Sequence, residues 1–288
     1  MDAAARAEIS PSADQFVVTA TSGPWPGFKN NGAVDPSAEV FLRGLYADAS
    51  PDELADLSLD DLTALGHDLW SWRSERKPDE QLVRIRRGVG VGGRHLDRDI
   101  LEVVGPDMPF LVDSVMGELA DEGITTLALF HPVAPSNDGR GKDSLIQIHF
   151  QRLSAQRAKT LVDNVRSSLK DVRAAVADFQ AMRQRMLAVA EELQAAKANA
   201  SREDVAEAVE LLRWLAADKF TFLGARDYAY HRDASGAYTS EEPEILCDTC
   251  LGVLRDVALY VLRTSDEPVT LTPELNACIA ALKRTTSR

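Results

Sequence analysis

The chain has 288 residues, 45% of them hydrophobic, enough for a real core and roughly two domains. Its formal net charge of -13 and pI of about 4.9 argue against a nucleic-acid partner held through phosphates and against an anionic membrane surface, since both need clustered Lys and Arg. The opening MDAAARAEIS lacks the basic-then-apolar order of a signal peptide, and no run reaches about 18 apolar residues. Three cysteines suit a reducing compartment, so the expectation is a cytoplasmic protein without a membrane span.

Residues 1–37 are rich in Ala, Ser, Gly, Pro and Asn and predict a poorly ordered start. Ser50-Pro51-Asp52-Glu53 is a helix start: Ser50 caps, Pro51 takes the first position and Glu53 completes a capping box. A second helix follows over about Leu59 to Trp72, with His67 at its surface or in its packing. Gln81 to Arg86 alternates as a strand, and the glycines of Gly88 to Leu96 lead into a strand at Ile100 to Val104. Those glycines join strand to strand, so they read as a hairpin connection. A phosphate loop would have to open a helix.

Asp107-Met108-Pro109 predicts a strand-to-helix corner, with Pro109 in the first helical turn and Asp107 capping the exposed amides. Val112, Val115, Met116 and Leu119 share one helical face, and Gly123 ends the helix in the C′ position. Strands follow at Ile124 to Phe130 and Ser144 to Phe150, around a turn at Ser136-Asn137-Asp138-Gly139. In the second of them Leu145, Gln147 and His149 oppose Ile146, Ile148 and Phe150, so it reads as half-buried with His149 facing solvent or a partner. Ser154 starts a long helix, which gives the order β-α-β-β-α.

The apolar seam of that helix steps by threes and fours from Val162 to Phe179 and on to Leu193. Phe179 to Met182 breaks the alternation and predicts a bend or break near Asp178. Ser201 with Asp204 caps a further helix with Val205, Val209, Leu212 and Leu215 on one face, and the pair predicts an antiparallel hairpin. Phe220 to Tyr230 reads as strand, HRDASGAY as a turn, and Leu254 to Leu262 as strand or helix. The chain ends at ALKRTTSR with no terminating element, as though cut.

Cys247-Asp248-Thr249-Cys250 is a CxxC, but its spacing to His231 and Cys278 fits no zinc ligand pattern, and unpaired thiols are the plainer reading. His131 lacks a nearby nucleophile in the sequence, and no GxSxG, Walker loop, HExxH or dinucleotide fingerprint is present. Asp113 sits in a first helical turn, where the helix dipole favours negative charge. No catalytic, metal-ligating or cofactor-binding residue is assigned from the residues themselves.

LEVVGPDMPFLVDSVMGELADEGITTLALFHPV followed by SLIQIHFQRL resembles the N-terminal region of the large bacterial NAD-specific glutamate dehydrogenases. DVRAAVADFQAMRQRM, LLRWLAADKFTFLGARDYAY and LGVLRD extend the resemblance over about Ser50 to Leu262. It implies an α+β fold: an ACT-like (ferredoxin-like) βαββα sheet domain with N-terminal helices over 38–153, a long helical hairpin insertion over 154–219, and a truncated second α+β domain, for which an ACT-like plan is one option, over 220–288. The closing strand of the first sheet would be Phe220 to Tyr230, or absent.

In function the resemblance implies a regulatory and assembly segment without catalysis of its own. NAD and the oxidative deamination of L-glutamate to 2-oxoglutarate and ammonia belong to a later part of such enzymes. The partners would be other domains or subunits of the same enzyme, a homo-oligomer met through a sheet edge or exposed hairpin positions, and an amino-acid effector. Effector-binding ACT domains often carry Gly where this chain has Phe110, which restricts the backbone and fills space. The effector place is the turn Asp107, Met108, Phe110 and the amides of Leu111, Val112 and Asp113. A free-standing amino-acid-sensing ACT-type module is the alternative.

Overall fold

The computed structural model describes residues 29–30, 33–34, 36–54, 56–136, 139–195, 202–217, 220–231, 233–234 and 243–258. The N-terminal 28 residues, the Ser201 cap, Asn137-Asp138, most of HRDASGAY, Cys278 and the chain end lie outside them. The chain divides into two compact units, one ending at Leu169 and one beginning at Lys170.

The first unit opens with a short antiparallel pair, Lys29–Asn30 with Ala33–Val34, and then three helices: α1, Pro36–Leu45, lies ahead of the first helix start read from the sequence, and α2, Pro51–Leu54, and α3, Leu59–Arg73, follow. The Ser50 capping box forms: the Ser50 amide donates to Glu53 Oε2 at 2.8 Å and the Glu53 amide to Ser50 Oγ at 3.4 Å. α3 has a second box, Ser58 with Asp61. β1, Leu82–Val89, turns through a short 3-10 segment into β2, His95–Pro106, as a glycine-rich hairpin. Then come α4, Leu111–Asp121, β3, Thr126–Phe130, β4, Val133–Pro135, and β5, Lys142–Phe150.

These strands make one antiparallel sheet in the order β1-β2-β5-β3, with β4 paired to the far end of β5. Alternation along β2 divides the core. Leu96, Ile100 and Val104 join Leu42, Tyr46, Leu62, Leu65 and Leu69 of the helical start in one cluster. Leu101 and Val103 lie beside Ile148 and Ile146 on the other face, which α4 covers through Leu111, Val115 and Leu119. The first turns of α5, Ala155–Ala195, join them there through Leu161, Val165 and Leu169, with Arg166 donating to the Val83 carbonyl at 2.9 Å.

Covered on both faces, β5 is not the half-buried strand its alternation predicts, and His149 is fully buried instead of facing solvent. Its polar positions are internal because they hydrogen-bond one another, so polarity on alternate residues does not here mean water. Gly123 does end α4: it adopts φ 64°, its amide reaches the Ala120 carbonyl at 2.9 Å and the next amide, of Ile124, reaches Leu119 at 2.8 Å. This double return is a Schellman motif, which a residue with a Cβ would strain.

Phe220 to Tyr230 does not close the sheet. β1 occupies the position beside β2, and the aromatic segment forms only β6, Gly224–Ala225, and β7, Tyr228–Ala229. These pair with β9, Leu251–Gly252, and β8, Glu244–Ile245, inside the second unit. α5 is also unbroken at Asp178. The irregular seam there has another cause: the Asp178 carboxylate accepts from the Gly252 amide at 2.7 Å and from Arg255 Nε at 2.5 Å and Nη2 at 2.8 Å. α6, Arg202–Ala216, packs Val209 against Ala190 and Leu193, and Arg183 donates to the Ala216 carbonyl, so the end of α5 and α6 run antiparallel. No described helix is long and apolar enough to cross a membrane.

Candidate functional site

The corner after β2 differs from its sequence reading in two ways. The Asp107 amide donates to the Lys142 carbonyl at 2.9 Å, but its exposed carboxylate caps nothing: α4 starts at Leu111, with Phe110 as N-cap and no side-chain capping bond. Pro109 therefore precedes the helix and does not sit in its first turn. The reason is Phe110, whose φ of 69° and ψ of 4° turn the backbone left-handed before the helix begins. That conformation suits glycine, and here a phenylalanine adopts it, the residue being 46% exposed. Met108 and Val112 are half-buried, Leu111 is buried in the core and Asp113 is exposed. The amides of Leu111, Val112 and Asp113 open the helix without a side-chain acceptor, so the corner retains the polarity that attracts a carboxylate.

His131, between β3 and β4, places Nε2 2.7 Å from Ser144 Oγ. Burial pushes its pKa down and Asp107 pulls the other way. Ser144 is buried on β5, so the pair ties the strand junction to the sheet and presents no open nucleophile. In the second unit Cys247 is exposed and Cys250 buried, and among the described residues no group of His, Cys, Asp and Glu could hold a metal ion.

A second polar centre crosses the helical face of the sheet, marked by no motif. Glu102 accepts from Arg84 Nε at 2.6 Å, Arg86 Nη2 at 3.0 Å and Gln147 Nε2 at 2.9 Å. His149 Nε2 lies 3.2 Å from Gln147 Oε1, and His149 Nδ1 lies 3.5 Å from Arg98 Nη1. Arginine only donates, which assigns the imidazole proton to Nε2 and leaves Nδ1 as acceptor. The ring stays neutral: burial, then the charges of Arg98 and Arg86, push its pKa down to about 3. The signal available in the sequence was Arg84-x-Arg86 on one strand and Glu102 on the next, which the register brings opposite each other.

Two further carboxylates are buried nearby with partners. Asp143 accepts from Arg76 Nη2 at 2.7 Å and from Arg73 Nε at 3.3 Å. Asp99 accepts from Arg87 at 2.6 Å and from the Leu153 amide at 2.9 Å. The chain of groups on the sheet ends at Arg98, in an open cleft of about 800 Å³ at the start of β2. Asp56, Arg94, Leu96, Asp97, Leu127 and Arg152 help to line it. A Cβ on Gly88 would come 2.9 Å from Arg98 Cγ, so the bulged strand passes closely over the arginine stem.

An antiparallel sheet with helices on both faces, and a left-handed corner opening the helix after its central strand, define an α+β domain of ACT type. Residues 41–161 match the family described as glutamate dehydrogenase, ACT1 domain. The chain is 33% identical over 221 residues to the NAD-specific glutamate dehydrogenase of Halomonas elongata, covering 69% of this chain and 14% of that protein. It is 28% identical over 221 residues to the NAD-specific glutamate dehydrogenase of Pseudomonas aeruginosa, covering 70% of this chain and 14% of that protein. Residues 41–161 thus carry the ACT1 domain of glutamate dehydrogenase, and about 70% of the chain resembles an N-terminal region of the NAD-specific glutamate dehydrogenases. The chain spans about a seventh of the length of these relatives.

Proposed function

We propose that this chain is a regulatory and assembly segment of an NAD-dependent glutamate dehydrogenase, which oxidises L-glutamate to 2-oxoglutarate and ammonia with NAD bound elsewhere in the enzyme. The observation that carries the reading is that the ACT1 match, 41–161, falls within one compact unit that ends at Leu169 and has its own core. The strand order supports a ferredoxin-like plan in which β1 stands where a closing strand after the second helix would otherwise lie.

Other domains or subunits of the same cytoplasmic enzyme are the partners in this reading, and the α5–α6 hairpin within 154–219 is the docking arm. Leu211 and Trp214 of α6 support it, being half exposed, with Phe220 edge-on to Trp214 at 5.5 Å. The sheet edges are less available. Glu53 Oε1 accepts from the Leu129 amide of β3 at 3.2 Å, and Arg166 occupies the Val83 carbonyl of β1. The corner of Asp107, Met108, Phe110, Leu111, Val112 and Asp113 remains the place for an amino-acid effector in this proposal.

Deleting residues 38–169 from the full-length enzyme tests it. The remainder is expected to keep its kcat for glutamate and to change its mass in light scattering or its response to amino acids. A folded, assembled remainder that has lost turnover overturns the reading, as does one unchanged in all three respects. The chain by itself is expected to reduce no NAD with glutamate.

A further inference from the structure

We propose that the cleft at the start of β2 binds a small carboxylate-bearing molecule, with Arg98 as the anchoring cation. The site is separate from the Asp107–Asp113 corner: Arg98 and Asp107 stand at opposite ends of β2, roughly 30 Å apart at about 3.3 Å per residue. It is also independent of the assembly role proposed above.

Charge pairing in this unit is uneven. Other buried or half-buried guanidiniums have carboxylates at hydrogen-bonding distance: Arg73 and Arg76 share Asp143, and the half-buried Arg84 and Arg86 share Glu102. Arg98 is as deeply placed, its side chain 9% exposed, and has no such partner. Its one carboxylate within ion-pair distance among the described residues is Asp56, at 3.8 Å and 87% exposed, while Asp61 acts on it from further off. Its other polar neighbour is the neutral His149 ring. The Nε–H has no acceptor at all among the described residues. Burying a charge that is only weakly paired costs several kcal/mol in general, and an arriving anion would offset that cost.

The surroundings specify what arrives. Arg98 faces a cleft whose volume suits a small metabolite and is too restricted for a folded partner. A carboxylate in the cleft would accept from the Nη2 end of the guanidinium, which Asp56 meets only at 3.8 Å. Arg152, exposed on the rim, has no carboxylate of its own among the described residues, whereas Arg94 is already taken by Asp61. Leu96 and Leu127 supply apolar wall for a short carbon chain. Asp56 and Asp97 on the rim admit an added ammonium and disfavour a second anion beside them, which favours carboxylate over polyphosphate.

The test is thermal unfolding of the whole chain with acetate, succinate, glycine or inorganic phosphate, each matched in ionic strength by sodium chloride. At saturation at least one carboxylate is expected to raise Tm by roughly 4 °C or more. Arg98→Met is expected to abolish that rise. Asp56→Asn, which removes the weak competing carboxylate, is expected to lower the Kd for acetate, which has no ammonium, severalfold in calorimetry. A rise with glycine as large as with acetate identifies an amino acid held between Arg98 and the rim carboxylates. Succinate alone identifies a dicarboxylate reaching Arg152. No rise with any carboxylate, an equal rise with phosphate, or a rise that survives Arg98→Met overturns the proposal. Should Arg98→Met lose its cooperative transition, Leu127→Trp decides, because it obstructs the cleft from an exposed position: a retained rise overturns the site and a lost one supports it.

Discussion

Phe110 shows how much a single residue can hold against its own preference. A left-handed backbone at a residue with a Cβ costs roughly 1–2 kcal/mol, and glycine removes that cost at the expense of a freer unfolded chain. Truncation is the fair comparison: Phe110→Gly is expected to be more stable than Phe110→Ala by about 1 kcal/mol in urea denaturation, since both lose the ring and only one keeps the strain. His149 gives a residue-scale prediction with a sign. Its folded pKa is lowered to about 3 from an unfolded value near 6.5, so the unfolded chain takes up the proton first as pH falls. Its stability contribution is intact above pH 6.5 and declines below it, with a limiting slope of about 1.4 kcal/mol per pH unit down to about pH 3. His149→Gln is therefore expected to lose less stability than the native chain between pH 7 and pH 4.5, measured as Tm against pH. Asp143 is the third case. Asp143→Ala takes the carboxylate from two buried guanidiniums, Arg73 and Arg76, and is expected to cost about 3–5 kcal/mol in the same denaturation experiment.

At the scale of elements, what the sequence disclosed followed local rules, and what it concealed depended on partners far along the chain. The Ser50 capping box, the Gly123 helix end and the glycine hairpin before His95 are each settled within about five residues, and each appears where the pattern predicts. The effector corner was legible as a corner, but its helix begins later than Pro109 suggests because the left-handed turn falls on Phe110, a residue type that gives no such signal. The polar row of Glu102, Gln147 and His149 is visible as alternation, and alternation alone reads as a wet face. Its satisfaction comes from Arg84, Arg86 and Arg98 on neighbouring strands, and register is not written in any one strand. Asp178 repeats the lesson on a helix. The 3–3 step in the apolar seam predicts a bend or a break; the helix does not break, and it uses that position to hold Gly252 and Arg255. Asp178→Ala is expected to leave the helicity of α5 unchanged in circular dichroism and to speed hydrogen exchange at the Gly252 amide. Equal exchange in both proteins would remove this account of the irregular seam.

For the molecule as a whole, the decisive question is whether the ACT-type unit is autonomous. Its larger core is drawn entirely from residues between Ala38 and Leu145, and its other face is covered by α4 and the first turns of α5 through Leu161, Val165 and Leu169. A helix of some fifteen residues is marginal alone in water, so residues 155–169 owe their order to that apolar contact and not to the rest of the 41-residue helix. The buried ion pairs belong to the same stretch of chain: Arg73 and Arg76 with Asp143, Arg87 with Asp99, Arg84 and Arg86 with Glu102. None needs a residue beyond Leu169. A chain of residues 36–169 is therefore expected to unfold in one cooperative urea transition, with circular dichroism and tryptophan fluorescence coincident through Trp70 and Trp72. It should also reproduce the acid dependence traced to His149, because every group that depresses that imidazole lies inside it. Non-coincident transitions, or an acid midpoint displaced from that of the whole chain, would show that the sheet depends on residues after Leu169. The regulatory reading would then have to treat the two units as one.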